Sequence, residues 1–229
     1  MIARLKTGAV LLILTVSYFI VQLIVASRWP EPNGYSWADN MISDLGVPEC
    51  LGDMHQYGLH PSRYICSPWH ATMSTEFVLL GVLLVAATFL LTPLLPKSPL
   101  ARAIPYLALL NCLGIVLVGT FPGSADEFPG DHQLRIILHP TGAYLELLTG
   151  LAIMIIAARV FPANRPYTTV TIVLIILTLI GMIASLAPNH LGLGGGTAER
   201  LALDPFVWWR IFTGIYILAA LPRLHRTAS

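Results

Sequence analysis

FVLLGVLLVAATFLLTPLL, from Phe77 to Leu95, contains no charged residue and approaches the length of about 20 residues that a helix needs to cross a bilayer. The whole chain of 229 residues is 55% hydrophobic and only 11% charged, whereas a soluble domain carries about 25% charged residues. The sequence therefore predicts an integral membrane protein.

Three further stretches are uncharged over a similar length: Thr7–Val25, Ala103–Phe121 and Tyr167–Ala187. Two more qualify as spans if each keeps one charged residue in the membrane: Ile136–Ala158 with Glu146, and Asp204–Leu221 with Arg210. We therefore predict an all-α integral membrane protein, a six-transmembrane-helix bundle forming a single domain over residues 1–229. The predicted spans are 7–26, 70–95, 103–121, 136–158, 167–187 and 204–222, and residues 27–69 form a long folded first extracytoplasmic loop.

The first span has an alternative interpretation as a signal peptide. Arg4 and Lys6 precede it, as basic residues precede the apolar part of such a peptide. Its apolar run is longer than the usual length of about 7–15 residues. A retained transmembrane helix is therefore the favoured interpretation.

Charge is distributed unevenly between the two sides of the predicted bundle. Four segments on one side of the predicted bundle contain basic residues but no acidic ones: 1–6, 96–102, 159–166 and 222–229. Cytoplasmic loops are enriched in Lys and Arg, so we expect a multi-pass protein of the cell membrane with both termini in the cytoplasm. Membrane lipids are the expected partners, because short basic segments suit anionic headgroups. A partner membrane protein is a further candidate, and nucleic acid is not expected.

The predicted loop 27–69 is much longer than the about 12–15 residues beyond which loops are usually functional or disordered. Its three tryptophans and three tyrosines indicate a folded segment. Cys50 and Cys66 are expected to form a disulfide, because cysteines this close outside the cytoplasm usually pair. Within the loop, Tyr35–Gly46 is either a short amphipathic helix lying on the membrane or a turn capped by Ser43 or Asp44.

The fourth predicted span carries polar residues along one helical face. His132, Arg135 and His139 recur at i, i+3 and i+7, and Glu146 lies one heptad further. Such residues resist insertion into lipid, so the stripe should face protein or a water-filled cavity. Glu146 and Asn111 fall at similar depths on consecutive antiparallel helices, which predicts a hydrogen bond between them.

Two other spans carry polar candidates. His70 opens the second span, and Glu76 lies roughly 9 Å deeper at about 1.5 Å per residue. Arg210 in the last span should either snorkel outward or pair with an acid such as Glu76.

Together these groups define a candidate site at the extracytoplasmic pole and in the adjacent half of the membrane. The catalytic candidates are Asp44, Asp131 and Glu146, the binding candidates are Ser43, Glu76, Asn111, Arg135 and Arg210, and the candidate metal ligands are His70, His132 and His139. The cofactor is left open, with zinc as the candidate because His and Asp are among its usual ligands. His132 and His139 lie roughly 10 Å apart on a straight helix, so both can bind one ion only if the helix is broken between them or begins after His132.

Three motifs resemble a known family: ISDLG at Ile42–Gly46, SPWH at Ser67–His70, and GTFPG…HQ…HPTGA within Gly119–Ala143. Their ordered combination resembles the membrane family catalogued as domain of unknown function 998, over nearly the whole chain, and is distantly similar to the FRAG/DRAM/SFK membrane proteins. The resemblance implies six helices and a long first non-cytoplasmic loop.

A more distant analogy links the candidate site to the CREST group of membrane hydrolases. In that group a Ser, an Asp and three His build a zinc site that cleaves lipid amides. This chain offers the same residue types in Ser43, Asp44, His70, His132 and His139, but it has no HxxxH pair.

Three functions compete at this stage. The first is a membrane protein whose polar site at the outer leaflet binds a lipid, a small molecule or a partner protein. The second is a metal-dependent lipid hydrolase or transferase of the outer leaflet, and the third is a proton-coupled carrier that uses Glu146. Whether the protein is an enzyme is left open.

Overall fold

The computed structural model describes residues 1–50, 52–54, 63–123 and 133–226. Within these ranges, six helical segments are long and apolar enough to cross a membrane. The prediction of an all-α, six-helix membrane bundle is confirmed, and the chain is a multi-pass membrane protein.

Seven α-helices of the described residues build the six spans. The first span consists of α1 (Ile2–Leu14) and α2 (Ser17–Ala26), and the others are α3 (His70–Leu91), α4 (Pro99–Thr120), α5 (Gln133–Val160), α6 (Arg165–Leu186) and α7 (Gly195–Arg226). α1 and α2 are separated at Thr15, whose hydroxyl donates to the Leu12 carbonyl at 2.6 Å. The first span therefore bends within the membrane.

The spans form a closed ring in which each packs against its neighbours in sequence. α1 packs against α3, α3 against α4, α4 against α5, α5 against α6 and α6 against α7, and α7 returns to α1. The even number of spans puts both termini at one end of the bundle. We call this end the basic pole, and we call the opposite end, which carries residues 27–69 (the cap), the loop pole.

α4 and α5 approach each other closely because each carries a glycine at the crossing. A Cβ on Gly142 would lie 2.5 Å from the Gly114 carbonyl oxygen, and one on Gly114 would lie 2.7 Å from the Glu146 backbone nitrogen. Small residues are the usual means by which membrane helices come together. The crossing brings Asn111 of α4 beside Glu146 of α5.

The described part of the cap, residues 27–50, 52–54 and 63–69, is folded, as predicted, but Tyr35–Gly46 does not form an α-helix. A 3-10 turn, Ser43–Gly46, occupies the end of this stretch. The Asp44 carboxylate accepts the Met41 backbone N–H at 2.9 Å and the Asn40 side-chain amide at 3.1 Å, and local bonds of this kind compete with a helix. The helix interpretation is therefore wrong, and the capped-turn alternative is confirmed.

Two short strands follow the turn in the cap. β1 (Gly52–Met54) and β2 (Arg63–Ile65) pair antiparallel, with Asp53 opposite Tyr64. The predicted disulfide between Cys50 and Cys66 is present and lies just outside the two strands. The disulfide and the strand pair together join the chain around Cys50 to the chain around Cys66.

α7 begins at Gly195, well before the predicted start of the last span at residue 204. The Thr197 N–H donates to the Ala38 carbonyl at 3.0 Å, and Gly196 has no room for a Cβ against the Asn40 carbonyl. The glycine-rich start of α7 is therefore a packed contact with the cap.

Replacing Gly142 with leucine should push α5 away from α4, because the new side chain would enter the Gly114 backbone. We expect the free energy of unfolding to fall by about 1–3 kcal/mol, the usual cost of overpacking. Thermal denaturation in detergent measures this change. Thr141→Leu, at the neighbouring exposed position, is the control, and equal melting temperatures for the two variants would contradict the expectation.

Replacing Cys50 and Cys66 with serine should destabilise the cap, because the disulfide spans 16 residues and closing a loop of that length contributes about 3 kcal/mol in the chain-entropy model. We expect faster cleavage within the cap by added protease. Cys112→Ser, which removes the free cysteine of α4, should leave the cleavage rate unchanged. A double variant that is cut no faster than the original protein would argue against this role.

Candidate functional site

A guanidinium lies fully buried at the centre of the ring. Arg210 of α7 has 0% of its surface exposed. Its Nη2 donates to Asn111 Oδ1 at 3.0 Å, its Nη1 donates to the Leu80 carbonyl at 3.4 Å, and its charge lies 4.2 Å from the centroid of the Phe206 ring. Arg210 therefore does not snorkel outward, and its hydrogen bonds go to Asn111 and Leu80 rather than to Glu76.

Glu76 has a different partner. Its carboxylate accepts the Ser17 hydroxyl of α2 at 2.6 Å, and the residue is 4% exposed. This contact ties the first span to α3 on the side nearer the loop pole.

Asn111 links Arg210 to the next helix of the ring. Its side-chain amide donates to the Glu146 backbone carbonyl at 2.7 Å and to the Thr149 hydroxyl at 3.1 Å. The predicted hydrogen bond between Asn111 and Glu146 is confirmed, although the acceptor is the backbone carbonyl rather than the carboxylate. The close crossing of α4 and α5 at Gly114 and Gly142 brings the Asn111 side chain within hydrogen-bond distance of the Glu146 carbonyl.

The Glu146 carboxylate interacts electrostatically with Arg210. It also lines a gap of about 10 Å³ between α5, α6 and α7, together with Thr178 and Phe206. That volume is near the minimum of about 10–15 Å³ that one water molecule requires. The Thr178 hydroxyl has no hydrogen-bond partner among the described residues, so a single water would suit the gap and a larger substrate would not.

The other described members of the polar stripe also face protein. Arg135 forms a salt bridge to Glu49 of the cap at 2.8 Å, and His139, which is 8% exposed, donates from Nδ1 to the Phe121 carbonyl at 2.8 Å. His132 and Asp131 lie outside the described residues. The prediction that the stripe faces protein is therefore confirmed for Arg135, His139 and Glu146.

The remaining predicted site residues surround the turn in the cap. Ser43 opens the 3-10 turn and Asp44, which is buried, bonds within it. His70 begins α3, and its Nδ1 contacts the Ser67 carbonyl at 3.1 Å. Among the described residues, no group of three His, Cys, Asp or Glu is placed to hold a metal ion, so the zinc assignment with His70, His132 and His139 stays a prediction.

The first turns of α7 form a polar contact that the sequence analysis missed. Arg200 donates to the Asn40 carbonyl at 3.0 Å and to the Tyr35 hydroxyl, and its guanidinium lies 4.8 Å from the Trp37 ring centroid. The Ile42 N–H donates to the Glu199 carboxylate. Burial raises the pKa of Tyr35, which keeps its hydroxyl protonated beside Arg200.

A second polar contact lies one turn deeper in α7. The Tyr18 hydroxyl of α2 donates to the Asp204 carboxylate at 3.2 Å. Helical spacing of Arg200 and Asp204 on the polar face of α7 was the signal for both contacts. The predicted last span begins at residue 204 and so leaves out Glu199 and Arg200.

A cavity of about 240 Å³ lies in the half of the bundle nearer the basic pole. Its walls are almost entirely apolar. Every span contributes to them, through residues that include Leu12, Leu84, Ile104, Ile153, Tyr167 and Trp209. No single stretch of sequence marks this cavity, because it arises where side chains from all six spans fail to fill the ring.

The polar groups on the cavity wall are mostly engaged with each other. The Tyr167 hydroxyl and the Thr213 hydroxyl lie 3.2 Å apart, and the Trp209 indole N–H donates to the Thr171 hydroxyl at 3.2 Å. The cavity therefore presents an apolar surface to any occupant.

Residues 12–216 match a family model described as protein of unknown function (DUF998). The chain belongs to this family. The match covers most of every span in the ring, as the sequence resemblance implied. No curated protein and no solved structure matches the chain significantly, and the distant similarity to the FRAG/DRAM/SFK proteins stays a prediction.

In this DUF998 protein, the motifs that carry the family resemblance meet where the cap joins the helices. The Ser67 hydroxyl of SPWH donates to the Leu45 carbonyl of ISDLG at 2.7 Å. His139 of HPTGA contacts Phe121 of GTFPG, and Gly142 of HPTGA forms the α4–α5 crossing. The described contacts of these motifs stabilise the join between cap and bundle.

Replacing Asn111 with leucine should destabilise the bundle, because the fully buried Arg210 guanidinium loses a hydrogen-bond partner. Hydrogen bonds to charged groups contribute about 1.5–3 kcal/mol, and we expect a loss of that size in detergent unfolding experiments. Leu110→Ala, at the adjacent exposed position, is the matched control.

The double variant Asn111→Leu with Arg210→Met completes a thermodynamic cycle. It should lose less stability than the sum of the two single variants, because the second substitution removes the guanidinium that the first deprives of its Asn111 partner. Strictly additive losses would show that the two side chains do not act together.

Proposed function

We propose that this protein binds a lipid-like amphiphile inside its helix ring and that the apolar cavity is the binding site. The observation that carries the proposal is a cavity of about 240 Å³ lined by all six spans. Ligand pockets usually measure about 300–1,000 Å³. A cavity just below that range suits one acyl chain or a small apolar ring better than a whole phospholipid.

Packing between the two poles supports binding over transport through the ring. The layer on the loop-pole side of the cavity contains Leu80, Asn111, Ile115 and Arg210, each with at most 1% of its surface exposed. An occupant of the cavity would meet this closed layer and the Trp209 ring. A carrier would need a path past them.

Local bonding supports binding over hydrolysis at the loop pole. Asp44 bonds within the turn in the cap, and Arg135 bonds to Glu49 of the cap. His139 bonds to Phe121 at the end of α4. We therefore assign these three residues a structural role.

We also propose that the protein lies in the cell membrane with the basic pole, and hence both termini, in the cytoplasm. The segments at that pole carry basic residues and no acidic ones, which is the pattern typical of cytoplasmic loops. The cavity would then open toward the cytoplasmic leaflet.

The experiment compares two adjacent alanines near the end of α7. Ala220 lines the cavity, whereas Ala219 is exposed on the outside of the helix. Ala220→Phe should fill part of the cavity and reduce the amount of lipid that co-purifies with the protein, measured by mass spectrometry of the extracted protein. Ala219→Phe should retain the original amount.

Two results would overturn the proposal. One is the absence of any bound lipid or other apolar molecule from the original protein. The other is equal lipid retention by the two phenylalanine variants, because occupancy would then be independent of the cavity.

A further inference from the structure

We infer that the ligand of the cavity is an anionic phospholipid of the leaflet that touches the basic pole, with an acyl chain in the cavity and its phosphate on cations at the mouth. This inference rests on the proposed function, because it names the ligand class of the same cavity. Three observations support it: the position of the mouth, the state of the nearby cations and the absence of acids at that pole.

Cations flank, in sequence, the residues that line the end of the cavity nearest the basic pole, and we call this end the mouth. Leu95 and Phe161 line the end of the cavity nearest the basic pole. Lys97 follows Leu95 by two residues, and Arg159 precedes Phe161 by two. Asn164, which also lines this end, is followed directly by Arg165.

These three cations are exposed, and in the described part of the chain no hydrogen bond, salt bridge or ring contact engages their side chains. The cations nearer the loop pole are engaged: Arg28 lies 4.9 Å from the Trp69 ring centroid, and Arg135, Arg200 and Arg210 have the partners given above. The described cations left for an outside anion therefore all lie at the basic pole.

No acidic residue competes for these cations at that end. Asp and Glu are absent from the sequence of all four segments at the basic pole: 1–6, 96–102, 159–166 and 222–229. Each Lys or Arg near a surface contributes about 1 kcal/mol to the attraction of anionic lipid, whereas a zwitterionic headgroup carries no net charge to attract.

The apolar wall decides between a lipid and a soluble anion. Phosphate alone would gain nothing from a cavity lined by Leu12, Leu84 and Ile153. The acyl chain of a lipid would fill the cavity and cover its apolar wall. The headgroup of the same lipid would stay at the membrane surface beside Arg159 and Arg165. The two parts of the site therefore require one amphiphilic molecule.

The test uses the full-length protein in nanodiscs that contain equal amounts of phosphatidylglycerol and phosphatidylcholine with the same acyl chains. After extraction into mild detergent, native mass spectrometry gives the ratio of the two lipids that the protein retains. We expect phosphatidylglycerol to be preferred, and Arg159→Gln with Arg165→Gln to lower the preference about fivefold for each charge removed. Total lipid retention should fall less, because the cavity is intact.

Lys6→Gln is the matched control. Lys6 is exposed at the same pole and has no partner among the described residues, but it is not adjacent in sequence to the residues that line the mouth. It should keep the preference of the original protein. An equal loss in Lys6→Gln and in the double arginine variant would overturn the assignment of the headgroup to Arg159 and Arg165.

The remaining outcomes separate this inference from the proposed function. Equal retention of both lipids by the original protein, with reduced retention by Ala220→Phe, would overturn the anionic ligand and leave a lipid site of another class. No retained lipid, or no difference between Ala220→Phe and Ala219→Phe, would overturn the site itself.

Discussion

The structure depends on how one buried guanidinium is satisfied. A charged residue at the centre of a membrane helix costs about 2.5–3.5 kcal/mol on insertion scales, and Arg210 has no exposed surface. Its donors reach the Leu80 carbonyl of α3 and the Asn111 side chain of α4, and Asn111 in turn bonds to the Glu146 carbonyl of α5. One charge on α7 thus connects it to three helices across the ring, and the contact requires the glycine crossing of α4 and α5.

This layer divides the membrane-spanning interior into two unlike halves. Toward the loop pole, the space is filled by polar contacts between helices and between helix and cap, such as Tyr18 with Asp204 and Arg200 with the Asn40 carbonyl. Toward the basic pole, apolar side chains leave the cavity beneath Trp209. Buried charges give the first half its rigidity, and the second half contains the space for a ligand.

The six spans and the disulfide were predictable because each depends on local sequence. Long uncharged runs determine the spans, and Cys50 and Cys66 are close enough in sequence to pair. The contact of Asn111 with Glu146 was also predictable, since depth along two consecutive antiparallel helices follows from residue number. These features need no knowledge of how distant helices meet.

Features that depend on the closure of the ring were not predictable from one sequence. For Arg210 the sequence suggests either snorkelling or pairing with an acid such as Glu76, but α7 meets α4 at Asn111 and Glu76 accepts a hydrogen bond from Ser17. The start of α7 was placed too late, because Glu199, Arg200 and Asp204 are typical of a loop unless a folded cap satisfies them. The cavity has no signature in the sequence, since six helices share its walls.

Ionisable residues inside a membrane are by default candidates for function, but in this structure several of them hold elements of the fold together. Arg210, Glu76 and His139 each have a partner that holds two elements of the fold together. In the part of the chain that the structure describes, no hydrogen bond, salt bridge or ring contact engages Lys97, Arg159 and Arg165 of the basic pole. These charges are therefore available to an outside ligand, and they lie close in sequence to residues that line the end of the cavity nearest the basic pole. The charge asymmetry that predicts the orientation of the protein therefore also supports an anionic lipid as its ligand.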